Sequence, residues 1–168
     1  MLALIDADII CYEASTFGGR ANPFDGIVRK DLSVVETMQE RILTDLDRIL
    51  AATAADSLLL VFSPDSRSNF RKMVSSDYKK ARPDASGKPW AYWQLVAWCR
   101  ENFNCIDYEG IEGDDLLGIL QTKNLEEGLS ETVVVSSDKD LRTIPGWLYD
   151  HKKDNLIKIT ENMANFWW

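Results

Sequence analysis

TVVVSSDKDL, residues 132–141, decides the fold: three consecutive valines run into two serines and then two aspartates two positions apart. β-Branched side chains fit the pleated sheet surface and fit helices less well. A run that is apolar throughout, with no in/out alternation, belongs to a strand covered on both faces, as in parallel sheets. The acids then fall just past the strand's carboxyl end.

The same pattern recurs on either side. LALID (2–6) reads as a short buried strand ending in acid, and SLLLVFS (57–63) as a second. NCIDY (104–108) reads as a third, with WLYD (147–150) and NLIKIT (155–160) as two short final strands. Between them, Val35, Met38, Ile42, Leu46, Ile49 and Leu50 recur at three and four positions, which predicts an amphipathic helix with Asp31 or Ser33 as cap. Further helices are predicted over 89 to about 103 and 112 to about 125, and ENMANFWW (161–168) begins another. FGGRANPFDG (17–26) reads as a loop. Strands alternating with helices make an α/β domain, a mostly parallel sheet between helical layers.

Composition narrows the class. At 168 residues one domain is expected, and 45% hydrophobic residues supply a core without staples. Cys11, Cys99 and Cys105 are odd in number and show no CxxC spacing, and His151 is the sole histidine. Neither a disulfide framework nor a zinc site is expected, which points to a reducing setting. No apolar run approaches the roughly 18 residues of a spanning helix, and the N-terminus has no basic leader. The expectation is a cytoplasmic chain with no membrane partner.

The net charge of −8 taken alone argues against a nucleic-acid partner. Its distribution argues the other way. Residues 67–88 hold seven basic side chains against Asp77 and Asp84, a local +5 that leaves −13 on the remainder. Asn69, Phe70, Tyr78 and Trp90 are interleaved with these charges, a mixture suited to phosphate contact and base stacking.

Ligands of open parallel sheets gather outside the carboxyl ends of the strands. There the sequence puts Asp6 and Asp8, Asp65, the trio Glu112, Asp114 and Asp115, and the pair Asp138 and Asp140. Each alone has a structural explanation, since an acid in a helix's first turn contributes about 0.3–1 kcal/mol. Together they do not. Two carboxylates about 4 Å apart repel by about 4 kcal/mol at an effective dielectric near 20. Six or seven in one cleft call for hard divalent cations, Mg²⁺ or Mn²⁺, which take oxygen ligands alone. A pair of such ions among carboxylates is the usual apparatus of phosphodiester hydrolysis.

LIDAD (4–8), FSPDSRSNFRK (62–72) with SDYKKARPD (76–84), IEGDDLLG (111–118) and VVVSSDKDL (133–141), in that order, resemble the 5′-to-3′ exonuclease and flap-endonuclease family, most closely its short bacteriophage members. The resemblance implies a three-layer PIN-like fold and a metal-dependent nuclease acting on DNA 5′ ends and flaps, with RNA–DNA hybrids as a further substrate class. It also implies the cytoplasm of a bacterium or phage-infected host. Asp6, Asp65, Glu112, Asp114, Asp115, Asp138 and Asp140 become metal-site carboxylates for a two-metal Mg²⁺ or Mn²⁺ centre. Arg67, Arg71, Lys72, Lys79 and Arg82 become DNA contacts, with Lys79 polarising the scissile phosphate and Tyr78 stacking on a base. Asp8 either orients the metal ligands or faces solvent.

The sequence departs from the family pattern in three places. Ser63-Pro64-Asp65 stands where an acid often follows the aromatic residue directly. Gly113 stands where alanine is common, loosening the helix start by up to about 1 kcal/mol. The chain reads as a single PIN-like domain over 1–168 without the family's C-terminal helix-turn-helix region, leaving Trp167 and Trp168 terminal, so that a further segment or a partner chain completes the site. Three rival readings are a haloacid-dehalogenase-type phosphatase with Asp6 as nucleophile and Asp8 as acid/base, a non-catalytic DNA-binding scaffold, and a PIN-type ribonuclease.

Overall fold

The computed structural model describes residues 1–16, 32–64, 74, 88–129 and 131–166. In chain order these form β1 (Leu2–Asp6), α1 (Ala7–Thr16), α2 (Leu32–Thr53), β2 (Ser57–Val61), α3 (Tyr92–Asn102), β3 (Cys105–Ile106), α4 (Gly113–Glu126), β4 (Thr132–Val135), a 3₁₀ turn (Lys139–Thr143), β5 (Gly146–Asp150), β6 (Asn155–Ile159) and α5 (Glu161–Phe166). The strands make one sheet in the order β3-β2-β1-β4-β5-β6. All neighbours pair in parallel except β6, which returns antiparallel to β5.

The apolar runs are buried on both faces, and their two-residue period sorts them. Ala3 and Ile5 of β1, Val133 and Val135 of β4, and Leu60 and Phe62 join the first core, with Ile10, Cys11 and Ala14 of α1, Met38, Ile42 and Ile49 of α2, and Tyr92, Leu95 and Cys99 of α3. Leu4, Val61, Val134 and Leu148 join the second, with Leu116 and Leu117 of α4, Leu141 and Ala164 of α5. Each fully buried leucine-sized side chain contributes about 1.5–3 kcal/mol, so the two cores set the register that aligns the strand ends. The result is a helix–sheet–helix layering.

Differences from the sequence expectation are local. The expected strand over 57–63 ends at Val61, and the third contracts to Cys105–Ile106, a short edge strand. Helix α1 was not anticipated. It begins on the residue after β1 with no linker, and its buried positions Ala7, Ile10, Cys11 and Ala14 carry the helical spacing that would have revealed it. Trp90, read as a stacking aromatic, is partly buried and packs against the first core. The cap residues Asp31 and Ser33, the loop over 17–26, and Trp167 and Trp168 lie outside the described side chains.

β1 pairs with β2 on one side and β4 on the other. The connection after β1 runs through α1 and α2 against one face, whereas α4, leading into β4, covers the opposite face. The carboxyl end of β1 is therefore the switch point of the sheet, where such folds open a crevice.

Candidate functional site

Asp6 is the last residue of β1, at that switch point. Its Oδ2 accepts the Ser136 hydroxyl at 2.8 Å from just past β4, and its Oδ1 accepts the Ile9 amide at 3.4 Å. Burial pushes its carboxyl up to about 6, with the charges of Asp8 and Asp114 adding to the rise and the Ser136 and Ile9 hydrogen bonds opposing it.

The trio comes from the start of α4. Glu112 occupies the N-cap position, with Asp114 and Asp115 in the first turn. One oxygen from each lies within 4.8 Å of the other two. The helix N-terminus tolerates this negative charge, and Leu116 and Leu117 anchor the turn in the second core. Ile119 is 49% exposed, so the apolar stripe that begins at Leu116 is buried only in part. Gly113 also has a packing role. A Cβ there would lie 3.1 Å from Ser63 Oγ and 3.2 Å from the Ser63 nitrogen, and the Gly113 amide donates to Ser63 Oγ at 3.0 Å. Glycine lets α4 approach the end of β2 closely.

Beyond β4, Asp138 caps the 3₁₀ turn, its Oδ1 accepting the Asp140 amide at 2.9 Å. Asp140 shares with Asp114 and Asp115 an open cleft of about 700 Å³ between α4 and the 3₁₀ turn, with Thr122, Lys123 and Thr143 on its walls. The structure thus gathers Glu112, Asp114 and Asp115 tightly, sets Asp140 across the cleft, and puts Asp6 within electrostatic reach of Asp114. Asp138 is engaged in the turn. Asp65 and the basic positions Arg67, Arg71, Lys72, Tyr78, Lys79 and Arg82 lie outside the described residues.

Three side chains at this edge escaped the sequence reading. Ser136 and Ser63 each follow a strand and bond to the acids or their helix, and a polar residue at a strand's carboxyl end was the available signal. Tyr92 donates its phenol to Asp8 at 2.6 Å, and nothing in the sequence pattern marks that pairing. Further along α1, Glu13 bonds His151 Nε2 at 3.0 Å and Lys152 Nζ at 2.6 Å, tying the helix to the turn after β5. Burial pushes the Glu13 carboxyl up, but His151 and Lys152 together hold it below its ordinary value.

Over 105 residues, 59% of this chain, the sequence is 32% identical to the exonuclease of Escherichia phage T7 and 31% identical to the exodeoxyribonuclease of Enterobacteria phage T3. The chain spans about a third of the length of these curated relatives, the match covering 34% of each. Among solved structures, phage T5 5′-exonuclease with bound zinc aligns with a TM-score of 0.60 at 13% identity. A phage T5 flap endonuclease in a pseudo-enzyme-product complex with DNA and metal ions aligns at 0.57 and 12%. Both alignments cover 94% of this chain and 57% of the other. At such identities the likeness shows the fold, a mostly parallel sheet between helices of the PIN-like 5′-nuclease type. The model of the 5′-3′ exonuclease N-terminal resolvase-like domain matches residues 1–161, and the chain belongs to that family.

Proposed function

We propose that this domain is the nuclease portion of a divalent-metal-dependent 5′-to-3′ exodeoxyribonuclease or 5′ flap endonuclease that hydrolyses phosphodiester bonds of DNA. The observation that carries the reading is the convergence of Glu112, Asp114 and Asp115, with ligand oxygens within 4.8 Å, on the carboxyl edge that also bears Asp6. The donor set is all oxygen and fits a hard cation, Mg²⁺ or Mn²⁺. The names of the relatives and the metal-bearing phage T5 structures support the same reading.

Glu112, Asp114 and Asp115 would hold one cation, and Asp6 and Asp140, with Asp65 and Asp138, would serve a second. Such ions supply activation of water and Lewis-acid stabilisation of charge on the phosphoryl group. The chain's own contribution is to concentrate negative charge in a cleft whose ligands are fixed by two helical turns and two strand ends. Arg67, Arg71, Lys72, Lys79 and Arg82 would neutralise the phosphates of the 5′ strand, with Lys79 beside the scissile phosphate and Tyr78 against a base. Cleavage of RNA in RNA–DNA hybrids belongs to the same proposal. So does a cytoplasmic setting, supported by the three free thiols of Cys11, Cys99 and Cys105. Against the phosphatase reading, Asp8 accepts hydrogen bonds on both oxygens and is poorly placed to act as acid/base.

The test is digestion of 5′-labelled duplex and flap DNA with Mg²⁺, Mn²⁺ or EDTA, alongside an Asp114→Asn, Asp115→Asn double variant. Metal-dependent release of short 5′ products, lost in the double variant, is expected. Cleavage undiminished in that variant overturns the site assignment, and DNA binding without turnover in the wild type favours the scaffold reading.

A further inference from the structure

Asp8 stands two residues past Asp6, in the first turn of α1, and both of its oxygens are committed to protein donors. Oδ1 accepts the phenol of Tyr92 at 2.6 Å, and Oδ2 accepts the amide of Ser63 at 2.9 Å. Ser63 follows β2 and Tyr92 opens α3. One carboxylate therefore joins two chain positions on either side of the basic stretch 67–88. Ser63 carries the connection further, because its Oγ accepts the amide of Gly113, the residue between Glu112 and Asp114. Four elements meet in a single chain of hydrogen bonds.

We propose that Asp8 is a positioning residue, not a metal ligand: with Tyr92 and Ser63 it forms a clasp that fixes the end of β2 and the start of α3, the two points between which the basic residues fall in the sequence, beside the carboxylate edge. The inference rests on the nuclease reading for its effect on DNA, but its geometry does not depend on that reading. Tyr92 is 2% exposed, and a buried phenol needs a partner. At 2.6 Å, its bond to Asp8 has the length of a charge-assisted contact. Burial and the Asp8 charge also push the Tyr92 phenol up, which keeps it a donor. Lys88 lies 4.1 Å from the centroid of the Tyr92 ring, so the residue closing the basic stretch rests on the side chain that Asp8 holds. The clasp ties substrate engagement, more than the chemical step, to Asp8.

The test compares wild type, Asp8→Asn, Tyr92→Phe and the double variant in the full chain. Mn²⁺ affinity without DNA is measured by calorimetry, amide exchange at Ser63 by NMR or mass spectrometry, and KM and kcat on 5′-flap DNA. Either single variant is expected to raise KM about tenfold, with kcat within about threefold and Mn²⁺ affinity within about twofold of wild type. Exchange at Ser63 is expected to quicken in both, and the double variant to be no worse than the worse single one, because both break one clasp. Loss of Mn²⁺ affinity in Asp8→Asn alone overturns the proposal in favour of a metal ligand. So do additive effects in the double variant, or a fall in thermal stability with KM unchanged. If the wild type neither binds nor cuts flap DNA, the nuclease reading fails separately. Ser63 exchange and the non-additivity of unfolding then decide the clasp alone.

Discussion

The Ser136 hydroxyl donates to Asp6 Oδ2 at 2.8 Å, joining the ends of β1 and β4 where the sheet's connections diverge. One hydrogen bond thus closes the switch point and orients the Asp6 carboxylate. It also opposes the larger effect of burial, which leaves the Asp6 carboxyl near 6. The site is built with its charge held against the preference of the fold.

That tension gives a pH dependence with a definite sign. The folded carboxyl lies near 6 against an ordinary 3.8, so between those values the folded chain keeps a proton that the unfolded chain has released. Stability then falls as pH rises through this window, by about 2–3 kcal/mol in total for the metal-free protein. Asp6→Asn removes the titration while keeping a similar shape. In EDTA the variant is expected to melt above wild type at pH 7–8 and to lose that advantage towards pH 4. Melting curves across that range check it, and a difference constant with pH refutes it.

A second expectation follows from the trio. If Glu112, Asp114 and Asp115 hold a cation, Mn²⁺ at a hundred times its Kd adds about 2.7 kcal/mol to the folded state. For a chain of this size that raises Tm by roughly 5–10 °C. Asp114→Asn, Asp115→Asn is expected to abolish the shift, each protein being compared with its own Tm in EDTA. Equal Mn²⁺-induced shifts in variant and wild type would show that the ion binds elsewhere.

Much of this was legible in the sequence, for identifiable reasons. The strands were readable because a parallel sheet buries both faces, so their apolar runs LALI, LLLV and VVV show no polar alternation. The acids were readable because carboxylates at strand ends have no packing role to hide among. Helix α1 was missed because it starts without a linker, so a strand and a helix run together as one apolar stretch. Asp8, Ser63 and Tyr92 were missed as a unit because their partners lie 55 and 84 residues apart, beyond the reach of any periodicity. The packing role of Gly113 was hidden because propensity describes a helix alone, whereas the close approach is set by the backbone of β2's end.

Gly113→Ala puts those two effects in competition. Helix propensity favours alanine by up to about 1 kcal/mol. Against it, the new Cβ sits 3.1–3.3 Å from Ser63 and from the Phe62 carbonyl carbon, atoms fixed by the end of β2 and by the Gly113–Ser63 hydrogen bond. Overpacking of this kind costs about 1–3 kcal/mol, so a net loss of about 1 kcal/mol is expected. Thermal unfolding in EDTA measures it, and a variant more stable than wild type would show that Ser63 yields readily.

Gly146 poses the sharper case, at the start of β5. Its φ of +124° lies where L side chains rarely go, and an added Cβ would come within 2.0 Å of Gln121 Nε2. Gln121 cannot move aside cheaply. It is 1% exposed, its Nε2 donates to the Trp147 carbonyl at 3.1 Å, and its Oε1 accepts the Thr132 hydroxyl at 2.6 Å. Displacing it leaves buried polar groups on α4, β4 and β5 unpaired at once. Backbone strain and the lost hydrogen bonds together are expected to cost about 3 kcal/mol or more. Gly146→Ala is therefore expected to lower Tm by roughly 6–12 °C. Gln121→Ala already lacks those hydrogen bonds and leaves room for the methyl group, so in that background Gly146→Ala is expected to cost less than in wild type but still something, because the strain remains. No added cost in that background would mean that Gln121 alone required glycine, and an undiminished cost that the backbone alone did.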